Sequence, residues 1–176
     1  MKFISDIRLL TLGIWLGSAC FLIAVAQAAF AVLPEQHEAA GAVVGRSLSI
    51  LNFGGMAIGV FLILTSLLVG KNANKFFLWI ERFLLLIMTA ATAVEQFVIG
   101  LWISMVHSQV GKPIDELAVD DPLRMQFNNL HEYSVWVLFT AMAAALVAFF
   151  IIANRKFGAV KAEKSDVYDF SKEFKV

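Results

Sequence analysis

Residues 91–103 read ATAVEQFVIGLWI, an apolar run with Glu95 and Gln96 side by side near its middle. Burying a carboxylate in hydrocarbon is expensive, so an acid inside such a run faces other helices or a wet cavity and finds a partner there. The run sits within a longer apolar segment, Phe76 to Val106, and three more segments share its character: Leu9–Leu33, Val43–Val69 and Leu130–Ala153. Crossing a bilayer takes about 20 apolar residues, so each of the four is a candidate span.

Composition agrees. The 176 residues are 60% hydrophobic and 16% charged, whereas ordinary soluble domains are about 25% charged. The expected fold is therefore all-α, an integral membrane antiparallel four-helix bundle over residues 1–153 with a mixed-charge tail at 154–176. Basic and acidic residues balance at 14 each, which leaves no global basic surface and argues against nucleic acid as a partner. Cys20, the single cysteine, cannot close an intrachain disulfide and reads as a small packing residue.

A signal peptide competes for the first segment, because Lys2 and Arg8 precede an apolar stretch ending in small residues at Ala24–Ala28. Against it, the run continues through Leu33, and Gly13, Gly17, Cys20 and Ala24 form one helical stripe. The Gly13 and Gly17 spacing lets backbones approach in lipid, and Gln27 continues the stripe toward the bundle. Pro34 suits the first turn of a second helix starting near Glu35. That helix has a small or polar face at Ser49, Asn52, Gly55 or Met56, Gly59 and Ser66. Glu81 and Arg82 open the third helix as an expected solvated pair near the membrane surface. Asp115 and Glu116 can make a short helical turn, and Asp121-Pro122 reads as an N-cap followed by proline at the first helical position. The fourth helix should then carry Arg124, Asn128 and His131 inward.

Lys2 and Arg8, Lys71 and Lys75, and Arg155, Lys156, Lys161 and Lys164 mark the N-terminus, the second loop and the tail. By the positive-inside rule these three regions are cytoplasmic, giving an N-in, C-in protein with helices extended on the outer side. A multi-pass protein of the cell membrane follows, the inner membrane if bacterial. In the tail, Tyr168, Phe170 and Phe174 are aromatic, but a solvated segment is the expectation.

Orientation gives depth. Glu95 precedes His107 by twelve residues, about 18 Å along a helix. Gln27, Arg46, Asn52, Glu95, Gln96, Asn128, His131 and Glu132 can therefore share one outer-leaflet layer. One use of it is structural: Glu95 pairs with Arg46 or His131, amides add hydrogen bonds, and the bundle register is fixed. Such bonds average below about 1 kcal/mol in membranes, so a clasp of this kind gives specificity more than stability. Another use is a site for an ion, a proton or a small solute, since intramembrane acids mark such pathways. A haem or metal site through His131 with His107 or His37 is weaker, because no ligand pair has the usual spacing. No phosphate loop, dinucleotide turn or nucleophile elbow is present, so no enzyme activity and no cofactor are expected. The expected partners are the lipid bilayer and, through the small-residue faces, other membrane proteins or a second copy.

At these residues the chain resembles the transmembrane protein 205-like family of small four-span membrane proteins, a domain of unknown function in bacteria. The resemblance covers roughly Ile7 to Ala153. It rests on Leu12-Gly13-Ile14-Trp15-Leu16-Gly17, on Ala29 through Pro34, on Ala40-Gly41 through Gly45-Arg46 and on Val94-Glu95-Gln96. Its most specific pattern is Asp121-Pro122-Leu123-Arg124 with Phe127, His131 and Ser134 spaced as Phe-x3-His-x2-Ser. The family's Pro-Arg after the third-helix acid is Gln96-Phe97 here. The resemblance implies the four-span fold and weight on Glu95 and His131; it supplies no activity, although transport or efflux has been suggested within the family.

Overall fold

The computed structural model describes residues 2–68, 75–111 and 113–155, and all regular structure among them is helical. The basic turn before Lys75 and the tail from Lys156 onward lie outside the described residues. Helix α1 spans Lys2–Val32 and α2 spans His37–Leu68. Helix α3, Lys75–Val94, passes through a π-helical turn at Glu95–Ile99 directly into α4, Gly100–Val110. A single 3-10 turn at Ile114–Glu116 precedes α5, Pro122–Ala153. These make four rods, each long and apolar enough to cross a membrane, with Lys75–Val110 acting as one.

The rod ends follow local chemistry. The Asp121 carboxylate accepts a hydrogen bond from the Leu123 amide at 2.8 Å, and Pro122 occupies the first turn of α5, where its missing N–H is no loss. Gly111 closes α4 in the left-handed conformation with φ of 64°, which a residue without Cβ adopts freely. The α1–α2 connection is longer than the sequence implies, running from Leu33 to Gln36. The Gln36 amide donates to the Leu33 carbonyl at 3.2 Å, so α2 starts at His37 rather than Glu35. Helix α1 is longer than expected and begins at Lys2 rather than Leu9. The cause is that Ser5, Arg8, Leu12, Trp15, Ala19 and Leu22, all buried, keep one helical face to the end of the rod.

Helix α1 packs on α2 and α5, and α3 packs on the same two, so the rods close into a ring. The core between them includes Leu12, Trp15, Ala19, Leu62, Leu85, Met88, Ala141 and Ala145. On the outside, Phe53, Trp79, Trp102, Trp136 and Phe150 are exposed, as a lipid-facing surface permits and an aqueous one does not. The small face of α2 packs as its spacing implies. A Cβ on Gly59 would overlap Thr89 Oγ1, and one on Gly55 would lie 2.7 Å from Trp15 Nε1 and 2.8 Å from Thr92 Cγ2.

The small stripe of α1 does not pack inward. Gly17, Cys20, Ala24 and Gln27 are exposed, and nothing lies within 4 Å of a Cβ built on Gly17. Trp15 accounts for the difference: its indole Nε1 donates to the Leu51 carbonyl at 3.1 Å, which turns the Leu12–Trp15–Ala19 face inward and the glycine stripe out.

Candidate functional site

Buried acids punctuate α3 and its continuation at two levels. Leu78, Glu81, Leu85, Met88, Thr92, Glu95 and Ile99 are all buried, at alternating spacings of three and four that keep one face toward the core. Glu81 and Glu95 therefore look the same way, about 21 Å apart along the axis. The residues between them pack against an apolar interior.

At the first level the expected solvated pair is a buried ionic cluster. Glu81 is 0% exposed; its Oε1 accepts from Arg8 Nη2 at 2.5 Å, and its Oε2 accepts from Arg155 Nη2. Arg8 Nη2 also donates to the Leu62 carbonyl at 3.0 Å. Arg82 turns away from Glu81 and reaches α2, donating from Nε to Ser66 Oγ at 3.0 Å and from Nη2 to the Ser66 carbonyl at 2.9 Å. All four rods meet at this level. Adjacent residues on a helix do not face each other, which is why Glu81 and Arg82 part company. The signal was present in the sequence: Glu81 stands fourteen residues before Glu95, nearly a whole number of turns.

At the second level Glu95 is 3% exposed. Ser134 of α5 donates to its Oε1 at 2.6 Å, and its Oε2 is buried without a hydrogen-bond partner. The Glu95 carbonyl accepts from the Gly100 amide, which closes the π turn. A Cβ at Gly100 would lie 3.2 Å from that carbonyl oxygen, so glycine eases the turn. π turns interrupt α-helices mostly as single turns and often at functional sites. Across the α2 interface, Gly59 meets Thr89 and Gly55 meets Thr92. One further turn in that register brings Asn52, 2% exposed, to the level of Glu95.

The expected eight-residue layer does not converge as one site. Asn52 and Glu95 are buried and Gln96 is half-buried, but Gln27, Arg46, Asn128, His131 and Glu132 are exposed. Among the described residues, neither Arg46 nor His131 bonds to Glu95. Leu130, four residues before Ser134, is buried and takes the inward position. His131 is turned aside, its ring stacked on Phe127 with centroids 6.3 Å apart. His107 packs edge-on against the same phenyl ring at 5.2 Å. His37 is elsewhere, bonded through Nδ1 to Asp115 Oδ2 at 2.8 Å. Among the described residues no three of His, Cys, Asp and Glu group as a metal site would require. The residues that sequence reasoning left out of the site are Ser134, Glu81, Arg8 and Arg155.

Neither the curated proteins nor the solved structures contain a match to this chain. Residues 10–112 match the model of a family described as a domain of unknown function, DUF4149. That stretch takes in most of α1, all of α2, and α3 through α4 with both buried acids. With more than half of the chain matched, Glu81, Glu95 and the π turn included, the protein belongs to the DUF4149 family.

Proposed function

We propose that this protein is a non-enzymatic multi-pass membrane protein whose functional centre is Glu95, a site for a small cation, the proton included, or a small polar solute. The observation that carries this reading is the unequal use of the carboxylate: Oε1 is held by Ser134 while Oε2 is buried and open. No Lys, Arg or His bonds to it among the described residues. A carboxylate this deep takes up positive charge because carrying its own charge in hydrocarbon is expensive. Ser134 and, from α2, Asn52 are the polar neighbours that would orient the bound species.

The frame of this reading is an antiparallel bundle with both termini cytoplasmic, in the cell membrane, or the inner membrane if bacterial. Arg8 and Arg155 meeting on Glu81 supports it, since the start of α1 and the end of α5 then lie at one end. The acidic 115–121 segment belongs to the other end. The pattern from Asp121 to Ser134, beyond the matched residues, supports the narrower kinship with the transmembrane protein 205-like group. Neither haem nor a resident metal cofactor belongs to this reading.

The test is reconstitution into vesicles loaded with a pH- or cation-sensitive dye. The wild type should dissipate an imposed gradient, Glu95→Gln should not, and both should show the same helicity by circular dichroism. Dissipation that is equal in the two proteins, or absent from both, rejects the site. A second reading, an accessory subunit of a larger membrane complex, is favoured by the outward stripe of Gly17, Cys20 and Ala24. It requires a stoichiometric membrane partner after mild solubilisation, one that Gly17→Leu releases and Glu95→Gln retains.

A further inference from the structure

We propose that the arginine cluster around Glu81 binds the phosphate of an anionic phospholipid, one of whose acyl chains lies in the groove between α1 and α5. The inference is independent of the role of Glu95. Among the described residues, three guanidinium groups, of Arg8, Arg82 and Arg155, share this level with the one buried carboxylate of Glu81. That carboxylate spends one oxygen on Arg8 and the other on Arg155. Arg8 Nε and Nη1 and Arg155 Nη1 are left buried with no hydrogen-bond partner.

Buried donors on charged groups are costly to leave unsatisfied. A phosphate, with several oxygens and a negative charge, matches guanidinium geometry and offsets the excess. Among the described residues, the other charged groups nearby do not meet the need. Arg82 is committed to Ser66, and Asp6 and Lys75 are exposed. Arg155, with its side chain 8% exposed, is the edge from which an anion reaches the cluster.

The chemistry deeper in the membrane selects a lipid over a free ion. Leu9, Leu10, Gly13, Ile14 and Phe149 line an open groove of about 440 Å³ on the outer surface. Gly13 lies five residues beyond Arg8, and Phe149 six before Arg155, so the groove, which begins at Leu9, reaches about 7 to 9 Å below the arginines along the axis. That is the relation of an acyl chain to its own phosphate. A Cβ on Gly13 would rest 3.6 Å from Phe149 Cε2, so the bare glycine is what leaves room between the helices.

The experiment uses the full chain in a mild nonionic detergent, with thermal unfolding followed as phosphatidylglycerol, phosphatidylcholine or inorganic phosphate is added. Phosphatidylglycerol should raise the unfolding midpoint in a saturable manner, and the other two should leave it unchanged. Arg155→Gln should weaken that binding about tenfold, and Gly13→Leu should weaken it severalfold by filling the groove. Equal shifts with phosphatidylcholine overturn the charge recognition, and a full shift with inorganic phosphate overturns the lipid as occupant. An affinity unchanged in Arg155→Gln overturns the phosphate site, and one unchanged in Gly13→Leu overturns the groove. If Arg155→Gln does not fold, Gly13→Leu and the headgroup comparison still decide the matter.

Discussion

Two glutamates on one face of one span are treated in opposite ways, and the difference lies in which side chains reach them. Glu81 has a cation on each oxygen, whereas Glu95 has a single serine hydroxyl. Removing one partner from a buried ionic group leaves the others uncompensated. Glu81→Ala should accordingly cost about 3–5 kcal/mol, read as a shift in denaturant-induced unfolding in micelles. Replacing Glu81, Arg8 and Arg155 together by apolar residues of similar size should cost much less than that single change, because no orphaned charge remains. Glu95 was legible from composition alone, as an acid in an apolar run. Its partner was not, since His131 and Ser134 lie on neighbouring lines of the same helix and only packing decides which one turns inward. Arg8 was hidden for a related reason: near a chain start, a basic residue serves topology and ion pairing equally well on paper.

Among the described residues, the α2–α3 contact is the closest approach that depends on glycine. Any side chain at Gly59 meets Thr89, whose hydroxyl already donates to the Leu85 carbonyl at 2.7 Å and which, being β-branched, has little freedom to move aside. Gly59→Ala should lower stability by about 1–3 kcal/mol as the two helices part, and adding Thr89→Ala should recover most of it; thermal unfolding of the single and double variants checks both. Gly17→Ala is the contrasting case, with open space around it, and should change the isolated protein by less than about 0.5 kcal/mol. The glycine pattern of α2 and the capping of α5 by Asp121 could be read before the structure, because they depend on local spacing. The π turn could not, since the residues of Glu95–Ile99 continue an ordinary helical pattern and the widened turn exists only in the backbone.

At the scale of the whole molecule, four rods close into a ring, tied at one end by the Glu81 cluster and at the other by surface contacts. There the exposed His37–Asp115 pair contributes about 0–1 kcal/mol. Arg124 adds support by donating from Nη1 to the Leu117 carbonyl at 2.6 Å. The proposed orientation predicts that, in a Cys20→Ser background, Val119→Cys is labelled from outside intact cells by an impermeant maleimide. Ser171→Cys should be labelled only after the membrane is opened; the reverse pattern inverts the topology. The span count was legible because hydrocarbon thickness sets it, while the rotation of α1 about its axis was not, because lipid is as apolar as the core and gives no sign of which face is inside. The convergence of Arg8 and Arg155 on Glu81 also bears on how the chain is made. Arg8 leaves the ribosome early and Arg155 only after the last span, so Glu81 waits through the synthesis of seventy-odd residues for its second cation. A chain cut short before that point lacks Arg155 and leaves one carboxylate oxygen of Glu81 without its cation.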